Sequence, residues 1–218
     1  WEFLECRQVL KVFLCCFLAK YSDHFIQQLP GTAAAHRGDC EYFTQPEGIK
    51  LLCIDKDPTA IARAKDNLSE YGDMVTFVRS DFRRLQEILG EQGLDGADGI
   101  LFDFGVSSPQ LDERERGFSY LEDAPLDMRM DPSVPITASD IVNGSSQAEI
   151  THIIRDYGEE RWASRIAQFV VRERVRRPIM TTLALVEVIK AAIPAGARRT
   201  GPHPAKRTFQ ALRIAVND

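Results

Sequence analysis

The feature that most constrains this chain is a change of rhythm at Glu47. From there the apolar residues switch back and forth between short continuous runs and helical spacing, in the order strand, helix, strand, helix, strand. Ile49 to Ile54 is apolar except for Lys50, as a strand buried on both faces requires, and Asp55 ends it. Asp57 then caps a helix with Pro58 at its first position, while Ile61, Ala64 and Leu68 recur at the spacing of a buried helical face. Gly72 stops that helix. Met74 to Val78 reads as a second strand, Arg83 to Leu89 as a short helix with Leu85, Ile88 and Leu89 inward, and Ile100 to Phe102 as a third strand that ends at Asp103. Such alternation implies parallel strands with helical crossovers. The expected fold is therefore α/β, an open doubly wound sheet whose ligands bind beyond the carboxyl ends of its strands.

Composition bounds what surrounds that core. The length of 218 residues suits one domain, or one domain carrying an insertion. Hydrophobic residues at 44%, with 12 Phe, supply a core and exclude disordered and fibrous classes. The five Cys all lie at or before Cys53 and none forms a C-x-x-C pair, which points to reduced thiols in a cytoplasmic setting and to no zinc site. His152 and His203 stand alone, without metal-ligand spacing, so no metal is assigned. The apolar run Val12 to Ala19 is far shorter than the roughly 20 residues of a membrane helix. Glu5 and Lys11 before it and Lys20 after it make a poor signal peptide, and no membrane partner is expected.

The net charge of -5 hides an asymmetry. Residues 1 to 150 carry 14 Lys+Arg against 26 Asp+Glu, a net of -12, whereas 151 to 218 carry 13 against 6, a net of +7. A basic back half invites a polyanion; two solvated faces of opposite sign are the plainer alternative.

Two carboxylates stand at the binding edge of the expected sheet. Asp55 sits where doubly wound folds place an acid that accepts hydrogen bonds from the ribose hydroxyls of a nucleoside cofactor. A helix-capping turn is the alternative, since Asp57 shows that capping is used here. The Gly-rich loop that should precede it by about 20 residues is not legible, because Gly31 to His36 offers a single Gly. Asp103 opens the stiff polar loop Asp103-Phe104-Gly105-Val106-Ser107-Ser108-Pro109-Gln110. A carboxylate there suits chemistry on an amine. It can accept hydrogen bonds from an exocyclic NH2, hold the base in line and take part of the positive charge that develops as the amine attacks a methyl sulfonium. An ordinary turn after a strand is the alternative.

Four segments carry a family resemblance. Asp103 to Asp112 (DFGVSSPQLD), Glu115 to Pro132 (ERGFSYLEDAPLDMRMDP), Tyr157 to Ala167 (YGEERWASRIA) and His203 to Asp218 (HPAKRTFQALRIAVND) closely resemble the bacterial methyltransferase H family. The resemblance covers about Glu47 to Asp218, and Ile54 to Pro58 also fits it. It implies S-adenosylmethionine as cofactor and N4 of a cytidine in small-subunit (16S) ribosomal RNA as the methylated group. It further implies a class I, Rossmann-like methyltransferase sheet interrupted by a helical insertion. By resemblance Asp55, Phe82, Asp103 and Gln110 line the cofactor pocket, Phe82 beside the adenine and Asp103 near the methionine end. Asp103 is the expected catalytic residue.

The insertion also reads physically. Glu159 to Arg177 is an expected helix stopped by Pro178, with Trp162, Ile166, Phe169 and Val170 as its apolar stripe. At 100° per residue Arg161, Arg165, Arg172 and Arg176 share a neighbouring face, a row suited to a phosphate backbone. Glu159, Glu160 and Glu173 could neutralise part of it, leaving a solvated salt-bridged face as the alternative. Arg198, Arg199, His203, Lys206 and Arg207 form a second basic cluster. Expected partners are small-subunit ribosomal RNA or the assembled 30S subunit; a homodimer is left open. Ser119 to Pro132 reads as a hinge, a substrate-side loop or, by default, a structural loop.

The chain departs from its family at both ends. The family opens with His-x-Pro-Val-Leu and a strand leading into a Gly-Gly-His-Ser/Thr loop, and residues 1 to 46 show neither. We therefore read residues 1 to about 44 as an out-of-frame translation of that motif, which resequencing the gene tests; an uninterrupted frame in an active enzyme overturns it. The expected organisation is an aberrant segment at 1 to 46, a partial methyltransferase domain at 47 to 111, an inserted helical substrate-recognition domain at 112 to 206, and a truncated return segment at 207 to 218. With the sheet incomplete, this chain alone is expected to bind the cofactor weakly and to be of doubtful activity. Two further readings stay open: a noncatalytic RNA-binding remnant, and a different nucleoside-cofactor enzyme such as a dehydrogenase.

Overall fold

The computed structural model describes residues 11–16, 49–97, 99–102, 105–199 and 201–217, which fall into two compact units, Trp1–Ser108 and Pro109–Asp218. The first unit is built on four parallel strands, β1 (Lys11–Cys16), β2 (Ile49–Asp55), β3 (Val75–Arg79) and β4 (Gly99–Phe102), in the order β3-β2-β1-β4. The chain steps outward from β1 to β3 and then crosses back to the other side of β1. That reversal defines the doubly wound arrangement.

Each element follows from its local sequence. In β2, Leu52, Cys53 and Ile54 are all buried, so consecutive residues on opposite faces are both covered. Leu52 and Ile54 join Ile88 in a core flanked by Val78, Phe82, Leu85 and Leu89. Helix α1 (Pro58–Asn67) begins as expected: Asp57 Oδ1 accepts from Thr59 N at 2.9 Å and Thr59 Oγ1 at 2.7 Å, and Pro58 occupies the first turn. After β3 a 3-10 turn, Phe82–Arg84, feeds α2 (Leu85–Glu91), so the expected single helix is two pieces joined at Leu85.

The largest correction concerns the amino-terminal segment. No strand was expected before Glu47, yet β1 lies inside that segment and is hydrogen-bonded on both sides, Leu14 facing Leu52 in β2 and Ile100 in β4. An uninterrupted apolar run is what a central parallel strand needs, and Val12 to Cys16 provides it. Gly31 to His36 lies outside the described residues.

The second unit is helical: α3 (Ser108–Asp112), α4 (Ala138–Gly144), α5 (Gln147–Asp156), α6 (Ala163–Arg174), α7 (Thr182–Ala192), α8 (Ala195–Arg198) and α9 (Lys206–Asn217). Capping boxes start α4 (Thr137 with Asp140) and α5 (Ser146 with Glu149), each satisfying two backbone donors that would otherwise face solvent. Helix α6 packs on α4, α5 and α7, and α9 packs on α4 and α5. Phe118 and Phe209 are fully buried, and side chains of this size contribute about 1.5–3 kcal/mol each on burial. Lys206–Asn217 forms α9, whose Thr208, Phe209, Ala211 and Leu212 are buried.

A further expectation changes. Helix α6 is shorter than 159 to 177. Glu159 sits at φ 51°, and the buried Glu160 turns its Oε1 to accept from Trp162 N at 2.9 Å, which starts the helix after Trp162. Of the readings open for Ser119 to Pro132, the bonds to α9 favour the structural loop. Asn217 Oδ1 accepts from Met130 N at 2.6 Å, Asn217 Nδ2 donates to Met128 O at 2.7 Å, and Arg213 Nη1 donates to Phe118 O at 3.0 Å.

Candidate functional site

In the first unit the carboxyl ends of β2 and β3 adjoin, with Asp55 paired in register with Arg79. Asp55 Oδ1 accepts from Asp57 N at 2.8 Å, and its carbonyl accepts from Ser80 N at 3.0 Å. The carboxylate is thus fixed at the edge where this class of sheet binds ligands. Asp57 itself is buried as the helix cap, and Asp55, whose Oδ1 takes the Asp57 N–H, belongs to the same turn.

Beside Asp55, Asp81 caps the 3-10 turn that carries Phe82. Its Oδ1 accepts from Arg83 N at 2.9 Å and Arg83 Nε at 3.0 Å, its Oδ2 from Arg83 Nη2 at 2.7 Å, and Lys56 Nζ lies 3.6 Å away. The Arg83 side-chain hydrogen bonds outweigh the opposing effect of burial and, with Lys56, draw the Asp81 carboxyl down to about 2. Phe82 meets Phe102, the last residue of β4, edge to face with ring centroids 5.8 Å apart. An acid and an aromatic pair therefore stand along one strand-end edge.

Of the remaining expected pocket residues, Asp103 lies outside the described residues, and Gln110 is buried on α3. Asp81, Lys56 and Phe102 were missed by sequence reasoning. The signal for Asp81 was present, since an Asp two residues before a basic residue at a helix start is a capping pattern.

The expected cationic residues are all in the second unit. Arg161, Arg165, Arg172 and Arg176 are exposed, as are Arg198, Arg199, Lys206 and Arg207. Arg161 and Arg176 flank α6 rather than lying in it. Only Arg176 of the four meets a carboxylate among the described residues, Glu173 at 3.8 Å; Glu160 is occupied by its own capping bond. Arg207 Nη1 donates to Glu159 O at 2.7 Å, which draws it partly into the fold. Among the described residues, no helix is long and apolar enough to cross a membrane.

Comparison with known proteins meets this geometry directly: residues 31–218 match the description of the MraW methylase family. The chain belongs to the MraW methylase family. The match begins ahead of Glu47 and so takes in the last part of the segment expected to be aberrant. Among curated relatives, the ribosomal RNA small subunit methyltransferase H of Brevibacillus brevis is 59% identical over 172 residues, 79% of this chain and 55% of the relative. The protein of the same name from Symbiobacterium thermophilum is 59% identical over 175 residues, 80% of this chain and 55% of its own length. That from Mycolicibacterium smegmatis is 55% identical over 176 residues, 81% and 47% respectively. The chain thus spans about half the length of the curated relatives it matches.

Proposed function

We propose that this protein methylates N4 of a cytidine in small-subunit ribosomal RNA, in the cytoplasm, with S-adenosylmethionine as the methyl donor. In this reading the first unit is the front of a class I methyltransferase sheet and the helical second unit is the inserted substrate-recognition part. The observation that carries it is the fixed Asp55 at the carboxyl edge of β2 beside Phe82, in a chain of the MraW methylase family.

The donor set suits the cofactor. A carboxylate is an acceptor-only group, the type that ribose hydroxyls donate to, and the Asp57 N–H holds that of Asp55 in place. Phe82, braced by Phe102 and by the turn that Asp81 caps, supplies an apolar wall for adenine. By the family resemblance Asp103 serves the methionine end, and Gln110 is a further cofactor residue. The cofactor supplies an electrophilic methyl group on a sulfonium. Asp103 accepts hydrogen bonds from the cytidine amine, aligns its nitrogen and balances its developing positive charge. No strong general base is required, since the alkylated nitrogen gives up its proton readily. Arg161, Arg165, Arg172, Arg176, Arg198, Arg199, Lys206 and Arg207 hold the RNA.

Methyl incorporation from labelled cofactor into small ribosomal subunits that lack the modification tests the reading, using the full chain. Incorporation is expected for the wild type and lost in Asp103→Ala, while Asp55→Ala raises the KM for cofactor about tenfold or more. A wild type that transfers no methyl group overturns the proposal; incorporation that survives Asp103→Ala removes that residue from its role.

A further inference from the structure

The arginines of α6 are tied to aromatic rings. Arg172 Cζ lies 4.2 Å from the Phe169 ring centroid and Arg165 Cζ lies 5.5 Å from the same centroid, while Arg161 Cζ lies 5.3 Å from the Trp162 ring. Arg161, Arg165 and Arg172 are exposed and meet no carboxylate within ion-pair distance among the described residues. Phe169 is half-buried on a helix whose Ile166 and Val170 are buried.

A row built only to neutralise phosphates does not need this arrangement. Lysines or freely moving arginines on the same face give the same charge and the same release of counterions. A guanidinium held against a ring has lost much of its rotamer freedom before any partner arrives, and it keeps one face and its N–H edge for that partner. Base stacking on aromatic rings and guanidinium planes is how proteins grip nucleotides that are not in a duplex, because the faces of paired bases are covered by their neighbours.

We infer that Phe169 with Arg165 and Arg172 forms a stacking site for an unpaired nucleotide of the RNA substrate. The inference rests on the reading of the chain as an RNA-modifying enzyme and adds to it a preference for single-stranded over duplex RNA. The base lies on the outer face of a guanidinium whose inner face is backed by Phe169, and the N–H edges meet the flanking phosphates.

The test uses the full chain, an RNA hairpin with an unpaired loop, and a fully paired duplex of the same length. Affinity is measured by fluorescence anisotropy between about 50 and 200 mM salt, the range in which phosphate contacts reveal themselves. Arg172→Lys keeps the charge and removes the plane; Phe169→Leu keeps apolar bulk and removes the ring. Each is expected to weaken hairpin binding by about fivefold or more, the low end of one stacked base, with duplex affinity within about twofold and the salt slope unchanged. Equal losses on both RNAs, or no loss on the hairpin, overturn the stacking site and leave the RNA reading standing. A wild type that binds neither RNA overturns both. Thermal melting accompanies each variant, and Arg172→Lys, which leaves Phe169 in place, decides the matter where Phe169→Leu lowers the melting temperature.

Discussion

Replacing Asp81 by Asn isolates one charge at the strand-end edge. The folded-state pKa of about 2 lies below the ordinary 3.8, chiefly because Arg83 donates to the carboxylate through its side chain. At about 1.4 kcal/mol per pH unit the difference amounts to about 2.5 kcal/mol at most. The side chain keeps 21% of its exposure, so solvent screening reduces this to about 1–2 kcal/mol. A depressed carboxyl stabilises the fold where it is charged in both states. The contribution is therefore fully present above pH 3.8 and is lost as the pH falls towards 2. Asn still caps the turn, so the substitution removes charge and keeps the local geometry. Urea denaturation of wild type and Asp81→Asn from pH 7 to pH 2.5 should give curves separated by a constant amount down to about pH 4.5 and converging below it. A separation that does not change with pH, or none at pH 7, refutes the claim that the Arg83 and Lys56 contacts hold this carboxylate. In the same variant the cofactor KM should rise by less than in Asp55→Ala, because Asp81 acts through the placement of Phe82.

Three further substitutions test the second unit. Gly158→Ala would put a Cβ 2.5 Å from Arg207 O and 2.8 Å from Ile154 O, both backbone atoms that cannot rotate away, so the α5–α9 contact should open at a cost of about 1–3 kcal/mol in urea denaturation. Gly117→Ala drives a Cβ into the Pro125 carbonyl oxygen in a left-handed conformation (φ 68°), and limited proteolysis should show cleavage within residues 117–136 that the wild type resists. Asn217→Ala removes the acceptor of Met130 N and a donor to Met128 O; the loss should be about 1–3 kcal/mol, with faster amide exchange at Met130.

The legible parts of the fold were those whose signals are local. The Asp57-Pro58 helix start, the apolar run of β2 and the breaks between elements depend on neighbours a few residues away, and each appears within a residue or two of its expected place. What escaped depends on distant partners. Val12 to Cys16 is a strand because β2 and β4 flank it, and nothing in its own sequence distinguishes it from any other apolar run. Ser119 to Pro132 left a hinge, a substrate-side loop and a structural loop open because its anchors, Arg213 and Asn217, lie about 90 residues further on. Asp55 was legible as the residue that ends β2. The bracing of Phe82 by Phe102 was not, because it requires β3 and β4 to end at the same edge.

The charge asymmetry also changes meaning once the units are known. Cut at the boundary between Ser108 and Pro109, the first unit holds 11 Lys+Arg against 17 Asp+Glu, a net of -6, and the second holds 16 against 15, a net of +1. The second unit is thus nearly neutral, and its basic character belongs to a face rather than to a domain. Several of its acids are engaged within the unit. Glu113 pairs with Arg116, Glu122 with Arg114 and Asp127 with Arg129, while Asp140 and Glu149 cap helices. Burial alone would push the Asp127 carboxyl up; the Arg129 hydrogen bonds overcome that and hold it below its ordinary value. Because these carboxylates are held where the fold needs them, they do not reach the arginines before and on α6. In the proposed reading, exposed guanidinia on a nearly neutral unit draw RNA only within about one Debye length, near 8 Å at physiological salt, and orientation at contact, rather than long-range attraction, decides which RNA is held.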